Sequence, residues 1–251
     1  MPAARAGRAD GSLLLKRRCG DLFRFPDDGG AVAIWPASSE PAYAAHLVLD
    51  MALPLALSRS GEIVLHGAAI EVGGRAVAVL GESGAGKSTV ASAWAAAGGR
   101  FLADDWFVLE GTAPGFGVRP SHPSLRVAPG AAAPAGERLL VDLAIPEARG
   151  RRWLVVSPGS GLYAARLLAL GRLVVWRRAA GANRPGRRRL TPAETMDALL
   201  AAYFSLELES APLWATALPL LGALAGSCEA FEVTAADGLH GLGAALELVA
   251  A

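Results

Sequence analysis

Residues 75–105 read RAVAVLGESGAGKSTVASAWAAAGGRFLADD, and the character of the chain changes three times within them. Arg75 to Leu80 is a short apolar run of the length of a strand buried on both faces. Gly81-Glu82-Ser83-Gly84-Ala85-Gly86-Lys87-Ser88 then fits G-x-x-x-x-G-K-[ST] at every fixed position, with Thr89 following. Lys87 to Ala97 is rich in alanine and predicts a helix stopped by Gly98-Gly99, after which Phe101 opens a new strand. In this strand, loop and helix context the motif has a physical meaning. Glycines let the backbone turn so that successive N–H groups point at phosphate oxygens. Lys87 sets a compact positive charge beside the outer phosphates, Ser88 offers a hydroxyl to magnesium, and the helix adds the partial positive charge of its N-terminus. The expected nucleotide-binding positions are Gly81, Glu82, Ser83, Gly84, Ala85, Gly86, Lys87, Ser88 and Thr89, with a purine nucleotide and Mg2+ as ligands. The motif alone does not separate a kinase from an ATPase, a GTPase or a transporter subunit.

Upstream, Ile63 to Val72 reads as a strand joined to Arg75–Leu80 through Gly73-Gly74, a tight-hairpin signal. The strand entering the loop therefore has an antiparallel partner, which predicts a mixed sheet and not an all-parallel one. Downstream, Asp104-Asp105 ends a short apolar strand, and neighbours on a strand point to opposite faces, so the two acids are expected to have different tasks. One division makes Asp104 the general base toward an acceptor hydroxyl and Asp105 the metal-side group; the plain alternative is a solvated turn.

The remaining chain predicts short strands with turns up to about residue 40, and a buried helix over Ala44 to Leu57 bent or ended near Pro54. A loop-rich stretch from Gly111 to Gly136 follows the acids, then strands at Leu139–Ile145, Trp153–Val156 and Leu167–Trp176. Thr191-Pro192-Ala193-Glu194 is a helix start with cap, first-turn proline and capping-box glutamate. A helix over Pro212–Ala225, a strand at Phe231–Val233 and a last helix from about Leu239 close the chain. The division expected is residues 1–58 as an N-terminal flank packed on the core and 59–251 as the catalytic domain.

Composition narrows the partners. Of 251 residues 53% are apolar, enough for a sizeable core, and a net charge of +1 supplies no global field toward nucleic acid or a membrane surface. The two cysteines, Cys19 and Cys228, make no metal-ligand spacing and no disulfide framework. No apolar run reaches the roughly 20 residues of a membrane span, and the first residues have no signal-peptide pattern. The expectation is a cytoplasmic protein that binds neither nucleic acid nor membrane.

From Val64 to Val108 the chain resembles the catalytic segment of HPr kinase/phosphorylase: His66-Gly67 on a strand, a hairpin, the G-x-S-G-x-G-K-S loop, a helix, and a strand ending in Ala103-Asp104-Asp105. It is also similar, more weakly over most of its length and including Pro123-Ser124-Leu125-Arg126, to the small HPr-kinase-like proteins found with ribosomally made peptides such as lasso peptides. The resemblance implies an α/β fold, the P-loop nucleotide-binding domain of the phosphoenolpyruvate carboxykinase and HPr kinase type with a mixed sheet. It implies Asp104 and His66 as catalytic residues, Ser88 and Asp105 on the metal side, ATP and Mg2+ as cofactors, and a protein or peptide hydroxyl as acceptor. His66 is expected to support the orientation or protonation of Asp104, whereas by itself a histidine on an apolar strand reads as a packed core residue. A homo-oligomer is compatible with the family. The chain departs from HPr kinase in lacking the Glu-Ile-Arg-Gly-Leu-Gly type segment and in carrying Thr89 where glutamate is usual. Those departures argue against HPr as acceptor and against the reverse phosphorylase activity.

Arg177, Arg178, Arg184, Arg187, Arg188 and Arg189 surround a turn and read as a solvated loop, or as arginines that neutralise phosphate or an acidic peptide. Glu110 reads as an exposed strand-end acid, and His46, His122 and His240 find no partner in the sequence. Three functions fit: an ATP-dependent kinase of a serine or threonine hydroxyl on a peptide or protein, a nucleotide-binding regulator without turnover, and a small-molecule kinase.

Overall fold

The computed structural model describes residues 4–113, 115–134, 139–144, 150–178, 184–204, 211–235 and 242–250. Four antiparallel strands open the chain: β1 (Ala4–Ala9), β2 (Ser12–Arg17), β3 (Leu22–Pro26) and β4 (Ala33–Trp35), paired in sequence order. Leu13, Leu15, Phe23 and Phe25 alternate inward and meet Tyr43, Leu47 and Leu55 of the following helices, a small core of its own. Asp21, fully buried there, accepts from Tyr43 Oη at 2.7 Å, Arg17 Nη1 at 2.8 Å and the Ala37 amide at 2.7 Å.

The helical stretch expected over Ala44–Leu57 is longer and broken differently. It runs as α1 (Pro41–Leu47), a π-wound turn (Val48–Ala52) and α2 (Leu53–Arg59). Pro54 sits at the start of α2. Its missing N–H and its ring clash fall on the preceding turn, and the wider winding there absorbs them.

The main sheet has seven strands in the order β13-β14-β12-β6-β5-β7-β8. Its members are β5 (Ile63–Val72), β6 (Arg75–Leu80), β7 (Phe101–Gly111), β8 (Phe116–Arg119), β12 (Leu168–Arg178), β13 (Gly186–Arg189) and β14 (Ala230–Ala235). β6, β12 and β14 run parallel and the other pairings are antiparallel, so the sheet is mixed. The β5–β6 hairpin turns at Gly73 and Gly74, whose φ values of 57° and 78° match the twist-compatible tight turn. The sheet curls until β8 also pairs with β12, Leu168 opposite Val118.

Both faces are covered, which is why β6 is an unbroken apolar run. Val77 and Val79 face α3 (Lys87–Ala96) and α6 (Leu242–Ala250), while Ala76, Ala78 and Leu80 face α4 (Pro192–Ala202) and α5 (Ala211–Ser227). A third sheet, β10 (Leu139–Ala144), β11 (Arg152–Val156) and β9 (Ser124–Val127), lies over α3 through Leu125, Val127, Leu154 and Val156. The described residues of the Gly111–Gly136 stretch are thus less loop-like than their proline and glycine content predicts, since β8 forms a hairpin with β7 and also meets β12, and β9 pairs with β11. Among the described residues no helix is long and apolar enough to cross a membrane. Cys19 and Cys228 are both free.

Gly67 follows His66 for a packing reason. A Cβ there would lie 2.8 Å from Val79 O and 2.9 Å from Leu80 Cδ2. Gly67→Ala is expected to destabilise the fold by about 1–3 kcal/mol through overpacking against backbone, read as a lower urea midpoint with an unchanged slope.

Candidate active site

The glycine loop leaves β6 and enters α3 beneath the end of β12. Gly81 has φ +145° and a Cβ on it would lie 2.4 Å from Trp176 O, so only glycine lets the loop pass that strand. Trp176 Nε1 donates to Ala85 O at 3.1 Å and fixes the far limb of the loop. Lys87 is buried and its Nζ donates to Gly81 O at 2.8 Å and Glu82 O at 3.0 Å. Burial pulls its pKa down, and Asp105 and Asp104 pull it back up.

A cavity of about 230 Å³ opens against this loop, and Lys87, Ser88, Thr89, Asp104, Asp105, Arg126, Arg178 and His66 all line it. Alternation along β7 predicts opposite faces for the two acids, yet both reach the same space. The reason is local: Asp105 has φ +122°, outside extended backbone, and such a conformation persists only where its surroundings hold it. What holds it is Arg126 on β9. Its Nη1 donates to Asp105 Oδ1 at 2.9 Å and its Nη2 to Asp105 Oδ2 at 2.8 Å, a two-pronged charge-assisted pair. The Arg126 backbone N–H donates to Asp104 Oδ2 at 2.6 Å, so one residue fixes both carboxylates.

The two acids differ in what remains free. Asp104 is 1% exposed and its Oδ1 has no hydrogen-bond partner among the described residues. Burial raises its pKa to about 6, against the Arg126 amide and the Ser88 hydroxyl beside it, which act to lower it. Asp105 has both oxygens engaged by Arg126, and burial raises its pKa as well. His66 is half-buried and expected beside Asp104, but its polar neighbour is Asp105, Nδ1 to Oδ1 3.5 Å. Burial, then Lys87 and Arg126, push its pKa down to about 4, so its ring is neutral at physiological pH.

Glycine-loop amides, one lysine, one hydroxyl and two carboxylates fit a magnesium-bound nucleotide. Mg2+ takes one or two carboxylates and completes its octahedron with water and substrate phosphates. The described residues contain no cluster of three or more His, Cys, Asp or Glu side chains that could hold a metal ion. Asp104 Oδ1 is buried and unpartnered among the described residues, so a bound cation or a donated proton would satisfy it.

Arg126 lines this cavity, Asp50 pairs with it from behind with His46 and His122 against Asp50, and the sequence singles out none of the four as site residues beyond the Pro123–Arg126 piece of the family resemblance. His46 and His122 both find Asp50, and His240 lies outside the described residues. Glu110 pairs with Arg119 at 3.0 Å, as a strand-end acid should. The basic run is more structured than a solvated loop: Arg177 and Arg178 stay on β12, and Gly186–Arg189 forms β13. Arg177 binds Glu232 at 2.6 Å, Arg188 binds Glu194 at 2.7 Å, and Arg187 stacks 3.7 Å over Phe231. Arg178 lies against Gly86, whose notional Cβ is 3.3 Å from its Nη2. It borders both the small cavity and a second of about 800 Å³ on the other side of the loop, walled by Trp176, Leu190, Ala198 and Glu194.

No protein-family model matches the chain, and no curated sequence does. Among solved structures, the Hpr(Ser) kinase/phosphatase from Coxiella burnetii is similar over 74% of this chain and 92% of that one, at 11% identity and a TM-score of 0.40. That is a distant fold relationship, at which neither activity nor residue roles carry over.

Proposed function

We propose that this protein is an ATP-dependent kinase that transfers the γ-phosphoryl group to a serine or threonine hydroxyl of a peptide or protein. The observation that supports it is the convergence of Lys87, Ser88, Asp104, Asp105 and Arg126 on one cavity behind a glycine loop. Loop amides and the start of α3 receive the phosphates, and Lys87 exchanges its loop-carbonyl partners for the outer phosphate oxygens. Ser88 and Asp105 face the magnesium position, where the cation neutralises phosphate charge. Asp104 takes the acceptor proton: a carboxylate near pKa 6 with an unpartnered oxygen is matched to work near neutral pH. His66, neutral, adds no positive charge beside Lys87 and steadies Asp105. The larger cavity, open to the loop and rimmed by Arg178, Arg188, Glu194 and Asp197, gives a flexible peptide room to present a hydroxyl.

The strands β8 and β9 occupy the proline-rich stretch after β7, so we assign the acceptor to this second cavity. A regulator that binds ATP without turnover is the second reading, favoured by the engagement of both Asp105 oxygens by Arg126.

Incubation with magnesium-ATP and, separately, HPr and short peptides encoded beside its gene tests the reading. The expected result is a mass gain of one phosphate on a peptide serine or threonine, which does not occur when EDTA is present during the incubation, with no transfer to HPr. Labelling of HPr alone overturns the peptide acceptor, and ATP binding with no labelling of any acceptor supports the regulator.

A further inference from the structure

Behind the paired carboxylates lies a buried charge that the phosphoryl-transfer reading leaves unused. Asp50 sits in the π-wound turn between α1 and α2 and is 3% exposed. Its Oδ2 is 2.9 Å from Arg126 Nη2 and against His46 Nδ1, and its Oδ1 is 3.1 Å from His122 Nε2. The same Arg126 Nη2 donates to Asp105 Oδ2, so a single nitrogen is divided between a carboxylate of the N-terminal segment and one of β7.

The surroundings fix this arrangement from several sides. His122 Nδ1 is 2.7 Å from Ser124 Oγ, which accepts from Trp153 Nε1 at 2.8 Å. With the Ser124 hydroxyl donating to Nδ1, the Nε2 edge of His122 faces Asp50 Oδ1 at ion-pair distance, without the alignment of a hydrogen bond. Trp106, next to Asp105 on β7, donates from Nε1 to Leu49 O at 2.8 Å, and its ring meets the edge of His122 at 5.9 Å. Burial acts to raise the Asp50 pKa, but His122, His46 and Arg126 hold it well below the ordinary carboxylate range, so the group is charged. A buried ion network is weak evidence for stability, because apolar residues of similar volume serve a core as well or better. π-wound turns are also found often at functional sites.

We propose that Asp50 is a positioning residue for phosphoryl transfer: by holding Arg126 from the other side it keeps that arginine, which engages both Asp105 oxygens in the free protein, from being committed to Asp105 alone, so that a cation can take one of those oxygens. The inference rests on the magnesium-ATP reading of the cavity. Without Asp50, Arg126 has Asp105 as its one side-chain partner, and the region gains a positive charge that opposes the cation. The N-terminal segment thereby contributes to the active site through α1, the π-wound turn and Asp50.

The experiment uses the full chain with Asp50→Asn and Asp50→Glu. Titration calorimetry measures ATP affinity in EDTA and in magnesium, and turnover is measured with peptide acceptor or, in its absence, as ATP hydrolysis by water. Asp50→Asn is expected to lower the melting temperature, since Arg126 loses a buried partner, and to leave magnesium-free ATP affinity near that of wild type, while the enhancement of affinity by magnesium and kcat each fall by about tenfold or more. Asp50→Glu is expected to recover part of both. Unchanged magnesium enhancement in Asp50→Asn overturns the proposal, as does a fall in magnesium-free ATP affinity as large as the fall in magnesium, which marks a merely structural role. A wild-type protein that binds magnesium-ATP but turns nothing over fails the kinase reading alone, since the magnesium enhancement still decides the role of Asp50.

Discussion

Lys87→Ala is expected to weaken ATP binding by about 10²-fold and to abolish phosphoryl transfer, with calorimetry as the measurement. The amides of the glycine loop supply partial charges, but Lys87 supplies the full charge that meets the outer phosphates. Its position is already set. The ammonium is held within the loop by Gly81 O and Glu82 O, so binding exchanges partners and does not have to order a free side chain. Loss of those two bonds also loosens the loop in the free protein, and Lys87→Arg separates the effects. Arginine keeps the charge but carries a planar, bulkier head that does not fit a pocket built for a point charge, so it should fold and still bind poorly. Equal ATP affinity in wild type and Lys87→Ala refutes the assignment of the loop.

Asp104→Asn is expected to reduce kcat by about 10²- to 10⁴-fold, the range for removal of a positioned base, with ATP affinity nearly intact. The amide oxygen of asparagine can still accept from the Arg126 N–H, so the local backbone has its partner in the variant. Wild-type rate should fall as pH drops through about 6, because the carboxylate must be free of its proton to accept another, and the variant should lose that limb. Stability runs the other way. Burial raises the folded pKa from 3.8 to about 6, so the stabilisation linked to this group is complete below pH 3.8 and is lost as pH rises through 6. At pH 7.5 the charged carboxylate is a net cost to the fold, and neutral asparagine should raise the urea midpoint while ending transfer. Asp105→Asn, by contrast, removes the two-pronged pair and leaves Asp50 as the carboxylate partner of Arg126, so it should weaken the magnesium dependence. Turnover unchanged in both variants removes both carboxylates from the chemistry.

The sequence by itself determined what depends on near neighbours. The hairpin at Gly73-Gly74, the loop between β6 and α3, and the start of α4 each rest on residues within a few positions of one another. Thr191 and Glu194 form the capping box that their spacing dictates, and the continuous apolar run of β6 reports its burial on both faces. Lys87, Ser88, Asp104 and Asp105 are legible for the same reason, since the loop and its helix bring them together over a short length of chain. The tertiary structure alone decided the rest. The positive φ of Asp105 puts both acids in one cavity, and no local propensity predicts it for an aspartate in a strand. Arg126 reaches them because β9 and β11 form a separate sheet over α3, and Asp50 meets Arg126 from the π-wound turn ahead of α2, across a long separation in sequence. Charged groups distant in sequence leave no periodic trace; a low-dielectric interior selects their pairing, and that selection exists only once the chain has folded.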